Sequence, residues 1–134
     1  MELETLYRPV GQTELDLIEE MGFRGFPPRL PEQPYFYPVA NRDYAVQIAR
    51  DWNTKDEASQ FTGYVLKFQV PVELLSRYPL RTVGASLHQE YWVPAGELEE
   101  FNRAIVGTID VVGFYQGRPK TTQSTLEPRE DSEL

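Results

Sequence analysis

The chain's single histidine, His88, stands two residues before Glu90 in the run His88-Gln89-Glu90-Tyr91-Trp92-Val93-Pro94. Aromatic and β-branched residues make this run read as a strand. Alternation then sets His88, Glu90 and Trp92 on one side and Gln89, Tyr91 and Val93 on the other. A carboxylate in such a strand is costly to bury unless something satisfies it. Glu90 is therefore either half of a structural ion pair or a working carboxylate. His88, on the same side, is either a proton-transfer or hydroxyl-binding group or a hydrogen-bonded structural histidine. Arg8 stands among apolar neighbours in Leu6-Tyr7-Arg8-Pro9-Val10. Its planar fork suits phosphate or ribose, and a surface arginine without a ligand is the alternative. Tyr35 and Tyr37 offer faces for stacking, or else ordinary sheet packing. Asn41 and Arg42 open a helix, where free amides can meet a phosphate or a side chain can simply cap.

Composition narrows these choices. The chain has 134 residues and no cysteine, which excludes disulfides, thiolate metal ligands and cysteine nucleophiles. One histidine is too few for a conventional zinc site, so no metal is expected. A net charge of −8, from 13 basic and 21 acidic residues, weighs against nucleic acid as a partner. No apolar run has the length of a membrane span, and Met1-Glu2-Leu3-Glu4 does not open a signal peptide. The expectation is a soluble, cytoplasmic protein with no membrane partner.

The elements that must position these side chains follow from periodicity. Residues 3–10 read as a strand, with Pro9 pointing to a sheet edge. Thr13 is the expected cap of a short helix whose stripe is Leu15, Leu17, Ile18 and Met21, stopped by Gly22. Residues 23–34 carry four prolines and form a stiff loop, which either covers a ligand with its arginines or is pinned to the core by Phe23 and Phe26. Residues 35–39 are a short aromatic strand. A helix from Asn41 to Trp52 follows, with Tyr44, Ile48 and Trp52 in line and Ala45 and Ala49 beside them to permit close packing. Residues 64–70 alternate as a strand, Pro71 opens a helical turn with Val72, Leu75 and Tyr78 on one face, and Thr82-Val83 pairs briefly. After Pro94 a short acidic-led helix covers 97–102, and 105–115 is a last long strand bent at Gly107 or Gly113. This order is α+β, with helices towards the N-terminal half. One domain spans 1–116, and 117–134 reads as a flexible tail poor in apolar residues.

Leu6-Tyr7-Arg8 on a first strand, Tyr35-Phe36-Tyr37-Pro38-Val39 running into a helix, and Glu90 on a later strand together resemble the ADP-ribosyltransferase fold family in order and spacing over residues 5–115. Tyr37-Pro38-Val39 stands where the arginine-type branch has Ser-Thr-Ser, and Arg8 where the histidine-type branch has histidine. The pattern is an arginine–tyrosine–glutamate hybrid.

The resemblance implies a split antiparallel sheet core with two helices in the N-terminal half, and a small bacterial, toxin-like mono-ADP-ribosyltransferase. NAD is then the substrate, and an unidentified protein or small molecule the acceptor. Cleavage of the nicotinamide–ribose bond passes through an oxocarbenium-like sugar. Glu90 would be the catalytic carboxylate beside that developing charge. Arg8, Tyr35, Tyr37 and His88 would bind the dinucleotide, the tyrosines by stacking on nicotinamide. Two other functions share the pattern: an inactive module binding NAD, ADP-ribose or a protein, and a glycohydrolase delivering the ribosyl group to water.

Overall fold

A computed structural model describes residues 1–84 and 88–117. The expected tail lies outside these residues, apart from Gly117. The centre is strand β3 (Thr62–Pro71), paired antiparallel with β1 (Leu3–Val10) on one side and β7 (Asp110–Gln116) on the other. Among the described residues the fold is α+β, with every strand pairing antiparallel. Its four α-helices are α1 (Gln12–Glu20), α2 (Arg42–Asp51), α3 (Val72–Leu75) and α4 (Leu98–Ala104). The first two lie in the N-terminal half. The short α3 and α4 stand where the sequence pattern asks for helical turns after Pro71 and Pro94.

Side-chain alternation along this sheet builds two cores. Leu6, Val10, Leu66, Phe68 and Val70 face one side, where Phe26, Phe36, Ile18 and Phe101 close over them. Val65 and Tyr7 face the other side, under α2. Ala45 and Ala49 are fully buried there, and at Gly63 a Cβ would overlap the Ala49 carbonyl. The small residues therefore work as a set from both sides of the contact. Beyond the reach of α2 the same face is solvated, so Lys67 and Gln69 are exposed.

Residues 34–40 complete the sheet edge beside β1. Tyr7 and Val39 exchange backbone hydrogen bonds of 3.0 and 2.8 Å. On its far side this segment runs antiparallel to residues 89–95. There β2 (Tyr35–Phe36) pairs with β6 (Val93–Pro94), and Val39 bridges to Glu90. One register serves both contacts, but Pro38 has no N–H to give, so the ladder is interrupted between them. The expected single strand from His88 to Pro94 is therefore split. Its first part, β5 (Gln89–Tyr91), also pairs with β4 (Leu80–Thr82).

Four other expectations are corrected. Thr13 is not the cap of α1: Gly11 is, and it presses on Ser59 where a side chain would clash. Thr13 instead bonds the Ala58 carbonyl and Gln60 across to a neighbouring turn. Leu17 and Met21 are exposed rather than core, since only Ile18 of the helix is buried. Trp52 is 70% exposed, because α2 uses its alanine face for packing and ends before the indole can turn inward. Residues 105–109 are not strand, since pairing with β3 begins only at Asp110. Val112 is the extra residue of a bulge between Val111 and Gly113, which bends β7 near the expected Gly113. Gly22 ends α1 as anticipated, at φ +69° with Phe23 N–H reaching back to the Ile18 carbonyl.

Candidate functional site

The pairing that joins β1, Val39 and β5 decides which side each candidate serves. Residues directly opposite one another in antiparallel strands point the same way, so Tyr7, Val39 and Glu90 share the α2 side. Tyr44 of α2 confirms this by donating its hydroxyl to Glu90 Oε1 at 3.1 Å. Trp92 Nε1–H donates to Glu90 Oε2, also at 3.1 Å. The carboxylate is thus held by two neutral donors, and no ion pair among the described residues includes it. Burial first, then the Glu90 charge and hydrogen bond, push the Tyr44 phenol up to about 12.

His88 lies stacked on Tyr44, with ring centroids 4.4 Å apart and planes 13° apart. Its Nδ1 is 3.1 Å from the Val83 carbonyl and its Nε2 is 2.9 Å from Gln47 Oε1. Both ring nitrogens thus face carbonyl oxygens, one of the backbone and one of a side-chain amide. Tyr35, Tyr37 and Trp92 form a half-buried ring cluster next to Glu90, with centroids 5.2 to 6.2 Å apart. Arg81, opposite Glu90 in the β4–β5 ladder, sets its guanidinium 4.5 Å over the Trp92 ring.

Arg8 is on the other side of β1. It is 8% exposed, lies 4.7 Å over the Phe36 ring, and grips Glu14 through two hydrogen bonds of 2.7 and 3.1 Å. The structure therefore brings together His88, Glu90, Tyr35 and Tyr37, but Arg8 points into the opposite core. The arginine's partner, Glu14, comes from the first turn of α1, three residues past its glycine cap, where a carboxylate also meets the positive end of the helix.

Arg8 and Glu14 form the floor of a cleft of about 530 Å³ at the end of the sheet. Its walls are the first turn of α1, the proline-rich loop and the turn at 52–59. Arg29 of the loop donates Nε to the Tyr35 carbonyl at 3.0 Å. Burial and then the nearby Arg8 hold the Arg29 guanidinium below its usual pKa, against the pull of Glu14 and Tyr37. Arg8 alone pairs with Glu14, and Arg29 feels both charges at a distance. Asp56, on the far wall, accepts from Ala58 N–H and the Ser59 hydroxyl. Exposed Leu17, Leu30 and Trp52 supply an apolar rim.

Glu14, Arg29 and Trp52 were not legible as a group. The proline-rich loop signalled a stiff display of Arg29, but Glu14 and Trp52 reach the cleft only through the packing of two helices. Tyr44 joins Glu90 in the same way.

No family model, no curated protein and no solved structure matches this chain.

Proposed function

We propose that this domain is a binding module that takes ADP-ribose, free or within NAD, in the Arg8–Arg29 cleft and does not transfer it. The observation that carries this reading is Arg29, a guanidinium beside Arg8 that no ion pair among the described residues includes, in a cleft that the exposed Trp52 also lines. A bound phosphate would give Arg29 the anionic partner that Glu14 gives Arg8. The indole of Trp52 offers a face to an adenine ring. A cleft of about 530 Å³ falls within the range of small-molecule sites. The α+β order with antiparallel pairing accommodates an ADP-ribosyltransferase-like scaffold, and that resemblance is what suggests the ligand class. Calorimetric titration with ADP-ribose is the test. Arg29→Ala and Trp52→Ala should each weaken binding by about tenfold or more, equivalent to about 1.4 kcal/mol, and Glu90→Gln should leave it unchanged. Absence of binding to the wild-type chain at millimolar ligand sinks the reading.

Transfer to a macromolecular acceptor is the second reading. It is favoured by the meeting of Glu90, His88, Tyr35 and Tyr37 on one face, where a carboxylate and aromatic rings could receive a nicotinamide riboside. Against it stands Arg8, whose guanidinium is turned away and held by Glu14. Incubation with labelled NAD separates the two: label transferred by the wild type and lost in Glu90→Gln supports transfer.

A further inference from the structure

Among the described residues, one buried side-chain polar atom makes no hydrogen bond, and it is Asn53 Oδ1. Buried acceptors are paired in nearly all native structures, so this orphan needs a physical reason. Asn53 is half-buried and lines the Arg8–Arg29 cleft together with Trp52, Asp56 and Ser59. Its amide cannot simply turn over to remove the orphan. Asn53 Nδ2 donates to Ser59 Oγ at 3.0 Å, and the Ser59 hydroxyl gives its own proton to Asp56 Oδ2 at 2.8 Å. A carboxylate only accepts, so Ser59 Oγ turns lone pairs to Asn53 and needs an N–H there. Reversing the amide would set oxygen against oxygen and leave its NH2 unpaired. Asp56 is itself fixed, since its Oδ1 accepts from Ala58 N–H at 3.3 Å. Ser59 is pressed on Gly11, where a Cβ would overlap it. This chain of contacts holds the amide with its acceptor free and its donor taken.

We propose that Asn53 Oδ1 selects the base of the bound nucleotide by accepting a hydrogen bond from the 6-amino group of adenine. The proposal rests on the ADP-ribose reading of the cleft and adds to it the group that tells adenine from other purines. Trp52, next in sequence and 70% exposed, lines the same cleft. Stacking on an indole gives little selectivity, because every base has a π face. A fixed acceptor does give it. The exocyclic amine of adenine is a donor, whereas the 6-oxo group of guanine is an acceptor, and an asparagine amide suits adenine for that reason. Asn53 Oδ1 is already shut from water, so accepting from the amine costs no further dehydration of the protein. A purine without the amine leaves the oxygen unpaired.

The test is calorimetric titration of the full chain with ADP-ribose and with its analogue carrying hydrogen in place of the 6-amino group. The analogue keeps the ring, the phosphates and the sugars, and lacks only the donor. Wild type should bind the analogue about tenfold or more weakly than ADP-ribose. In Asn53→Ala the two ligands should bind within about twofold of each other. Ser59→Ala, which frees the amide to turn without removing it, should narrow the preference. Circular dichroism establishes that each variant is folded, and the comparison of ligands on wild type needs no variant. Equal binding of both ligands by wild type overturns the role of Asn53 and leaves the ADP-ribose reading standing. A full preference retained in Asn53→Ala also overturns it, because another group then reads the amine. If neither ligand binds at millimolar concentration, both readings fall together.

Discussion

Replacing Glu14 with leucine isolates the Arg8 guanidinium in a setting that is nearly dry. The Arg8 side chain is 10% exposed and that of Glu14 25%. Removing one partner of a buried pair costs about 3–5 kcal/mol where water cannot reach the survivor. Glu14 is partly wet, and Arg8 keeps its contact with the Phe36 face, worth about 0.5–2 kcal/mol. The expected cost of Glu14→Leu is therefore about 2–3 kcal/mol. For a domain of this size that corresponds to a drop in Tm of about 10 °C. Arg8→Met should cost less, since the surviving carboxylate can turn to solvent. The double variant Arg8→Met/Glu14→Leu should recover to within about 1 kcal/mol of wild type, because an apolar pair of similar volume removes both desolvation penalties. Urea unfolding of the four proteins, with unchanged m-values, gives the coupling energy. A single-variant cost below about 0.5 kcal/mol, or a double variant no more stable than Glu14→Leu, would refute the claim that Arg8 is held as half of a buried pair.

Other expectations follow from the same geometry. Tyr44 and Tyr78 have phenols raised from 10.0 to about 12, each chiefly by burial and then by a glutamate. Between those values the folded chain keeps protons that the unfolded chain has released, so stability is fully present below about pH 10 and declines as pH rises towards about 12. Glu90→Gln should bring the Tyr44 phenol down part of the way, leaving the share due to burial, as read from tyrosinate absorbance. Gly63→Ala should cost about 1–3 kcal/mol in urea unfolding, because the obstacle is the backbone carbonyl of Ala49. Trp52→Ala should change stability by no more than about 0.5 kcal/mol, while weakening ADP-ribose, which separates a ligand contact from a packing contact.

Local signals carried much of this fold. Asn41 caps α2 by accepting from Tyr44 N–H at 2.8 Å, the alternation of 64–70 matches the buried positions of β3, and the paired alanines of α2 do meet the sheet. What was not legible depended on partners distant in sequence. Pro38 splits the 88–94 strand from across a ladder. Lys67 and Gln69 are exposed because α2 stops short of them. The candidate site divided for the same reason. Arg8 and Glu90 each sit in a good strand, but only the Tyr7–Val39–Glu90 register fixes that Glu90 faces α2, and alternation then turns Arg8 away. Neither residue's neighbours in sequence contain that information. Trp52 and Met21 mislead in the opposite sense, since apolar spacing on a helix predicts a face and not which part of it finds cover.

The side of the sheet that meets the ligand can be observed directly. Backbone amide chemical shifts of the labelled chain, followed through a titration with ADP-ribose, report it residue by residue. Binding in the cleft should shift Gly11, Thr13, Arg29, Leu30 and Asn53 and leave His88 to Trp92 unmoved. Shifts confined to His88, Glu90 and Trp92, with the cleft amides unchanged, would contradict it.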